Sequence, residues 1–484
     1  MDENQIADIV SRVVARLGNG NGGAATVAST SKPAPASAPS NGGIGIYQTV
    51  NEAVAAAKAS FLTLDTHPLE ERKLMIAAMR KSALREVELL AKMAVEETGF
   101  GRYSDKVLKN TLAVEKTPGP EILQPIAFTG DNGFSLLERA PYGVIGSITP
   151  CTNPTETVIS NAIGMIAGGN AVVFNAHPAA KNVTAHIIHM LNEAIISVGG
   201  PANLLTAVAK PTVESAGELM KHPDIRLMVV TGGPAVVKAA MNSGKKVIAA
   251  GPGNPPVVVD ETANIEDAAK HVVDGASFDN NIVCVVEKVL ICVESVADRL
   301  KAAMKSHGAF EVNGQNLKKL EKLVIERAPQ GPGDHGVINK EWVGKDAWKI
   351  LRAIGVEADE SVRLVVFEAD KGHPLVAMEQ LMPVLPLVRV KDVHEGIALA
   401  IKVEHGFGHT AVMHSTNVDH LSKMAMEVNT SIFVKNGPSF AGLGYGGEGY
   451  TSFTIASPTG EGLTTARNFT RERRCVLKDR FRII

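Results

Sequence analysis

Past Pro141 the chain settles into an alternation that few architectures satisfy. Short apolar runs, GVIGSIT (143–149), AVVFN (171–175), LMVV (227–230), KVIA (246–249) and PVVV (256–259), stand between longer stretches of helix-compatible sequence at 155–166, 179–199 and 234–243. Short apolar runs of this kind read as strands. Consecutive parallel strands need a crossover, and helices of this length supply right-handed ones. A second set follows from Asp260: helix 265–276, strand 288–293, helix 295–306, strands 362–367 and 385–390, helix 394–403 and strand 410–414. The pattern predicts an α/β chain of two parallel-sheet domains, divided near Gly253–Asp260. Its 484 residues exceed what one hydrophobic core serves, which favours the same division.

The segments before Pro141 are of other kinds. Residues 48–99 carry good helix formers with few breakers before Gly99. Asp131-Asn132-Gly133 is a hairpin signal inside 122–140. In MDENQIADIVSRVVARLG, residues 1–18, Ile6, Ile9, Val10, Val13, Val14 and Leu17 fall on one helical face. Asp2 and Glu3 at its start, with Arg12 and Arg16 near its end, suit the helix dipole. Its acidic opening and interrupted apolar run do not fit a secretory signal. Residues 19–43, a Gly/Ala/Ser/Pro stretch, cannot bury a core and read as a flexible, disordered linker. An apolar stripe with no core of its own to enter predicts that residues 1–18 dock in a partner's groove.

Composition narrows the function classes. A formal net charge of -2 gives no electrostatic reason to expect nucleic acid. No apolar run reaches membrane-spanning length, since the region around Val158–Phe174 is broken by Asn161 and by Gly168-Gly169-Asn170. The 4 cysteines, Cys151, Cys284, Cys292 and Cys475, form neither a CxxC pair nor a disulfide framework, as suits a reducing cytosol. His405, His409 and His414 lack the Cys or carboxylate that would complete a metal set at a known spacing. They are expected to be structural or surface groups, and no metal site is expected.

Several motifs carry chemistry. In VVTGGPAVVKAAM, Thr231-Gly232-Gly233 separates a strand from a helix that opens at Pro234, a turn whose backbone N–H groups can approach a phosphate. GLGYGGEG (442–449) matches GxGxxG but lacks a strand-to-helix setting, so it reads as a mobile loop rather than a dinucleotide fingerprint. In SFDNNIVCVVEK, Cys284 follows a polar Asp279-Asn280-Asn281 stretch, whereas Cys292 falls inside an apolar strand and Cys475 in a basic tail.

Taken in order, TPCTNPTETVISNAI, AGGNAVVFNAHPAAK, VVTGGPAVVKAA, AAGPGNPPVVVD, SFDNNIVCVVEK, EQLMPVLPLVRV and GYTSFTIASPTGEGLTTARNFTRERRC resemble the aldehyde dehydrogenase superfamily. They are similar in particular to its CoA-acylating branch, the propionaldehyde and acetaldehyde dehydrogenases of bacterial microcompartments. The resemblance spans residues 44–484, and the N-terminal helix with its linker is similar to the encapsulation peptides of such enzymes. It implies an aldehyde-dehydrogenase-like fold: a cofactor domain over 44–254, with hairpin 122–140 in oligomerisation, a catalytic domain over 255–440, and a segment 441–484 completing the site and the contacts of a homodimer or homotetramer. It implies NAD as cofactor and coenzyme A as cosubstrate, a short-chain aldehyde substrate, and a place inside a microcompartment of the bacterial cytoplasm. Cys284 matches the family's nucleophile and Glu379 its nicotinamide-ribose carboxylate. Cofactor contacts carry over to Thr149, Pro150 and Thr152, to Asn175, His177 and Pro178, to the phosphate turn Thr231, Gly232 and Gly233, and to Ala250 and Gly251. For the oxyanion donor, Thr152 stands at the gapless equivalent and Asn153 one place later; an amide N–H is always a donor, which favours Asn153.

One absence is chemically informative. Hydrolytic members carry a Glu two residues before the motif matched here by Gly251-Pro252-Gly253-Asn254-Pro255, and this chain has Ala249 there. A methyl group accepts no proton, and water needs a base to attack an acyl-enzyme. A thiol acceptor is more ionised near neutrality and more nucleophilic, so the missing base is tolerable if the acyl group passes to CoA. Two other functions compete: a hydrolytic dehydrogenase releasing free acid, disfavoured by Ala249, and an inert shell adaptor, disfavoured by Cys284, Asn153 and Glu379.

Overall fold

Every pairing among the β-branched runs of the first set is parallel. The structure, a computed structural model, describes residues 43–331 and 334–484, so the expected docking helix 1–18 and nearly all of the linker lie outside the described residues. Val144–Thr149 sits inside a six-stranded sheet. Ala171–Ala176, Leu205–Val208 and Ile46–Tyr47 follow on one side, Ile225–Thr231 and Lys246–Ala250 on the other. The chain thus builds outward from Val144–Thr149, then returns to build in the opposite direction. Connections that diverge in this way open a crevice at the carboxyl ends of the strands.

Helices cover both faces of this sheet, as its continuous apolar strands require. Val50–Leu64 and Val213–Lys221 pack on one face. Pro154–Ala167, buried along its whole length, and Lys181–Ser197 pack on the other. Behind them lie Leu69–Arg85, Val87–Thr98 and Tyr103–Lys116. Residues 48–99 are helical as expected, and Gly99 ends its helix at φ 71, a left-handed conformation glycine adopts without a Cβ clash.

The second sheet has seven strands, again all parallel. Pro256–Val259 lies between Val289–Val293 and Thr410–His414; Val384–Val390, Leu364–Glu368 and Ala309–Glu311 extend one side and Ile432–Lys435 the other. The last strand of the first sheet ends at Ala250, and the second sheet begins at Pro256. Gly251–Pro255 therefore joins the carboxyl edge of one sheet to the amino edge of the other. Asn254 anchors this join by donating to the carbonyls of Val376 and Val403 at 3.1 and 2.8 Å.

The hairpin forms as expected, with Ile126–Gly130 antiparallel to Gly133–Pro141. Thr470–Lys478 adds a third strand across Gly133–Pro141. Several elements were not anticipated: strand Leu205–Val208 and helices Val213–Lys221, Gly314–Val324, Ala347–Ala353 and Val418–Val428. Gly314–Val324, sequence GQNLKKLEKLV, buries only Leu320 and Val324 fully. Its apolar signal is correspondingly thin.

Candidate active site

The polar stretch before Cys284 is a backbone feature. Asp279, Asn280 and Asn281 have φ of 47, 52 and 66°, consecutive left-handed residues with no glycine among them. Such a conformation costs roughly 1–2 kcal/mol per residue, least for Asn and Asp. Side-chain bonds hold it in place. Asp279 N–H donates to Asp105 Oδ2 at 2.9 Å, and Asp279 Oδ1 accepts from Arg102 N–H at 2.7 Å. Asn280 Nδ2 donates to the Gly344 carbonyl and to Asp346 Oδ1, at 3.0 and 3.1 Å. Asn281 Nδ2 donates to the carbonyls of Ala276 and Glu287, at 2.7 and 2.9 Å. The buried Lys288 ammonium reaches back into the same turn, donating to Asn281 O, Asn281 Oδ1 and Val283 O at 2.7, 2.6 and 3.3 Å.

This turn presents Cys284, half-buried amid buried neighbours. Desolvation, then the Glu379 carboxylate, pushes its thiol up to about 12, while Lys288 and Lys109 pull the other way. Burial raises Glu379 to about 7 and lowers Lys288 to about 8, each opposed by the other's charge. Gly253 packs closely: a Cβ there would stand 3.0 Å from both the Cys284 carbonyl oxygen and His409 Cγ, closer than side chains ordinarily sit. The His409 ring therefore lies beside the turn that presents Cys284. It is fully buried, Nδ1 meets Thr410 Oγ1 at 2.8 Å, and Nε2 has no partner. Burial and the Lys288 charge lower it to about 4, leaving a neutral imidazole. His409 is thus a buried, hydrogen-bonded group, as the structural reading expects, and it borders the turn before Cys284.

Asn153 opens helix Pro154–Ala167 but makes no capping bond. Its Oδ1 accepts instead from Lys109 Nζ at 2.5 Å, and its Nδ2 lies 3.4 Å from Thr152 Oγ1. Lys109 also pairs with Asp279 Oδ2 at 2.5 Å and Glu156 Oε1 at 2.9 Å, and Lys106 with Asp279 Oδ2 at 3.1 Å. Both lysines are fully buried on Tyr103–Lys116, and the sequence reading passed over them. A signal existed: one turn back from the buried Leu112 and Ala113, the inward stripe of that helix continues as Lys109, then Lys106 and Asp105.

The residues expected at the cofactor gather at the carboxyl ends of the first sheet. Thr149 ends one strand and Pro150 and Thr152 follow it; Asn175, His177 and Pro178 end or follow the next; Thr231, Gly232 and Gly233, then Ala250 and Gly251, close the two on the other side. The crevice suits a dinucleotide. Thr149 Oγ1 is buried without a partner, a Cβ at Gly233 would meet nothing within 4 Å, and helix Pro234–Met241 has no side-chain cap on its first-turn amides. Some of these residues are already engaged: Asn175 Oδ1 accepts from Ser215 Oγ at 2.6 Å, and Thr231 Oγ1 meets Thr454 Oγ1 at 3.0 Å. Glu379 stands apart, ahead of strand Val384–Val390 in the second sheet, beside Gly253. Ala249 is fully buried, its N–H bound to Thr459 Oγ1 at 3.0 Å, so no proton acceptor enters from that position. The 442–449 glycine loop is tied down rather than free, with Lys116 Nζ donating to the carbonyls of Gly444 and Gly447 at 2.6 and 2.9 Å.

A dinucleotide-type crevice on one parallel sheet, joined edge to edge to a second sheet that carries a left-handed turn before a cysteine, marks an α/β enzyme of the kind that acts on a dinucleotide cofactor. Residues 44–320 match the aldehyde dehydrogenase family, and the chain belongs to it. It is 50% identical to an acetylating acetaldehyde dehydrogenase of Salmonella typhimurium, over 91% of this chain and 94% of that one. Among solved structures, a propionaldehyde dehydrogenase from the fucose utilisation microcompartment of Clostridium phytofermentans superposes with a TM-score of 0.88 at 45% identity, covering 91% of this chain and 100% of that one. The propionaldehyde dehydrogenase of Rhodopseudomonas palustris, with bound propionyl-CoA, gives 0.87 at 49% identity, covering 90% and 95%. A further structure of that enzyme holds CoA and an acylated cysteine.

Proposed function

We propose that the chain oxidises a short-chain aldehyde to its acyl-CoA thioester with reduction of NAD, through a thioester on Cys284. The observation that carries this reading is the buried left-handed turn that presents Cys284, with the buried methyl of Ala249 where hydrolytic family members hold their base. Cys284 sulfur adds to the aldehyde carbon, and Asn153 Nδ2–H donates to the oxyanion that forms. Bound NAD supplies the hydride acceptor; Thr149, the Thr231–Gly233 turn and Glu379 are the groups that would hold it. Hydride loss leaves the acyl thioester on Cys284, and the CoA thiolate displaces it. We assign the thiol proton released on addition to His409, a buried neutral imidazole across Gly253 from the Cys284 turn.

Cys284→Ser tests the nucleophile. The variant should fold and bind NAD but make no acyl-CoA, because a hydroxyl oxygen is intrinsically a far weaker nucleophile than sulfur. Retained turnover would move the nucleophile elsewhere, first to Cys151, which is half-buried with its thiol raised by burial.

The same reading places the enzyme inside a microcompartment of the bacterial cytoplasm, tethered through residues 1–18 to a shell protein. Support comes from the apolar stripe Ile6 to Leu17 and from the microcompartment origin of the Clostridium phytofermentans relative. The domain division at Gly253–Asp260, and a homodimer or homotetramer joined through 122–140 and the C-terminal strand, belong to this proposal.

A further inference from the structure

We infer that Lys109 is a positioning residue for the acylation step: its ammonium holds the Asn153 carboxamide with Nδ2 turned to the reacting oxygen, and ties that donor to the turn bearing Cys284. The inference rests on Asn153 being the oxyanion donor, as proposed above. An ammonium only donates hydrogen bonds. With Lys109 Nζ 2.5 Å from Asn153 Oδ1, the amide oxygen must face Lys109, and the NH2 group must face away. That NH2 has only a long contact with Thr152 Oγ1, 3.4 Å, near the limit of a hydrogen bond.

Position sharpens the point. An Asn at a helix N-cap ordinarily turns its Oδ1 onto the first-turn amides, which would carry the carboxamide into its own helix. Asn153 stands at the N-cap of Pro154–Ala167 and makes no such bond. Lys109 takes the oxygen instead. The same ammonium meets Asp279 at 2.5 Å, at the head of the nucleophile's turn, and Glu156 at 2.9 Å, on Asn153's helix. One buried cation therefore fixes nucleophile and oxyanion donor relative to each other. Burial alone would lower its pKa, but Asp279 and Glu156 outweigh that and keep it charged.

A residue that merely neutralises two buried carboxylates makes a different prediction, and a double-mutant cycle separates the two. Lys109→Met is made together with Glu156→Gln, so that Asp279 keeps Lys106 as its partner. NADH formed in the first turnover without CoA is followed, and iodoacetamide alkylation of Cys284 serves as a measure of thiol reactivity independent of the oxyanion. Relative to alkylation, the NADH burst should slow about 100-fold, the usual loss for one oxyanion donor, with the half-saturating aldehyde and NAD concentrations unchanged. Asn153→Ala should cost the same, and adding it to the Lys109 variant should cost no more. Losses that multiply, or a Lys109 effect confined to alkylation, would overturn the inference. A slow Asn153→Ala beside a fast Lys109 variant overturns the inference alone, whereas a fast Asn153→Ala overturns the oxyanion assignment beneath it. Should the Met variant fail to fold, Lys109→Arg keeps the charge between the carboxylates. Its planar head cannot hold Asn153 Oδ1 in the same place, so a slowed burst in a folded Arg variant supports positioning, and a wild-type burst refutes it.

Discussion

Before cofactor or substrate arrives, the Cys284 thiol, pushed up to about 12 by desolvation and Glu379, is protonated at neutral pH. Alkylation of the cofactor-free enzyme by iodoacetamide should therefore be slow, and should rise about tenfold per pH unit from 7 to 10, because only the thiolate reacts. A plateau near pH 8 would contradict this environment. Sequence context and the family resemblance point to Cys284, and the donor chemistry of an amide favours Asn153 over Thr152. Neither disclosed what holds them. Lys109, Lys106 and Asp279 meet across 170 or more positions of chain, as in the Lys106 to Asp279 bond with its separation of 173. No local periodicity encodes a contact of that span. His409 was visible in EHGFGHTAVMH, but its role depends on facing Gly253, which lies in another loop.

At the scale of elements, the turn 278–288 decides whether the thiol stands in the right place. Asn281 is its keystone: left-handed at φ 66, it donates to two carbonyls and accepts twice from Lys288. Asn281→Ala should lower the unfolding free energy by about 2–4 kcal/mol, since the carbonyls of Ala276 and Glu287 and part of Lys288 lose partners in a buried site. Urea denaturation measures this, and a loss below about 0.5 kcal/mol would mean the turn is held elsewhere. Glu287 extends the support: its carboxylate accepts from Ser439 N–H and Oγ–H at 2.8 and 2.7 Å, pinning the chain just ahead of the C-terminal segment to the Cys284 turn. The long helices and apolar strands were legible because their periodicities are strong. Val213–Lys221 and Leu205–Val208 were not, because four residues of strand and a helix with three buried positions leave little pattern to read.

For the whole molecule, the join at Gly251–Pro255 sets the carboxyl edge of the first sheet against the amino edge of the second, so the proposed cofactor crevice and Cys284 are supplied by different sheets. The family match begins at residue 44, and removal of residues 1–43 should leave aldehyde oxidation nearly unchanged while ending co-purification with shell proteins. A truncated enzyme that still co-purifies would return this segment to the status of a tail. Mass spectrometry of the products, with NADH counted in parallel, addresses the central claim that the acyl group leaves on a thiol and not on water. With aldehyde and NAD alone, NADH should form in a burst of about one per Cys284 and then nearly stop, because no base stands at Ala249 to activate water. Adding CoA should restore steady turnover and convert the product to acyl-CoA, whereas free acid formed without CoA as fast as acyl-CoA forms with it would contradict the account.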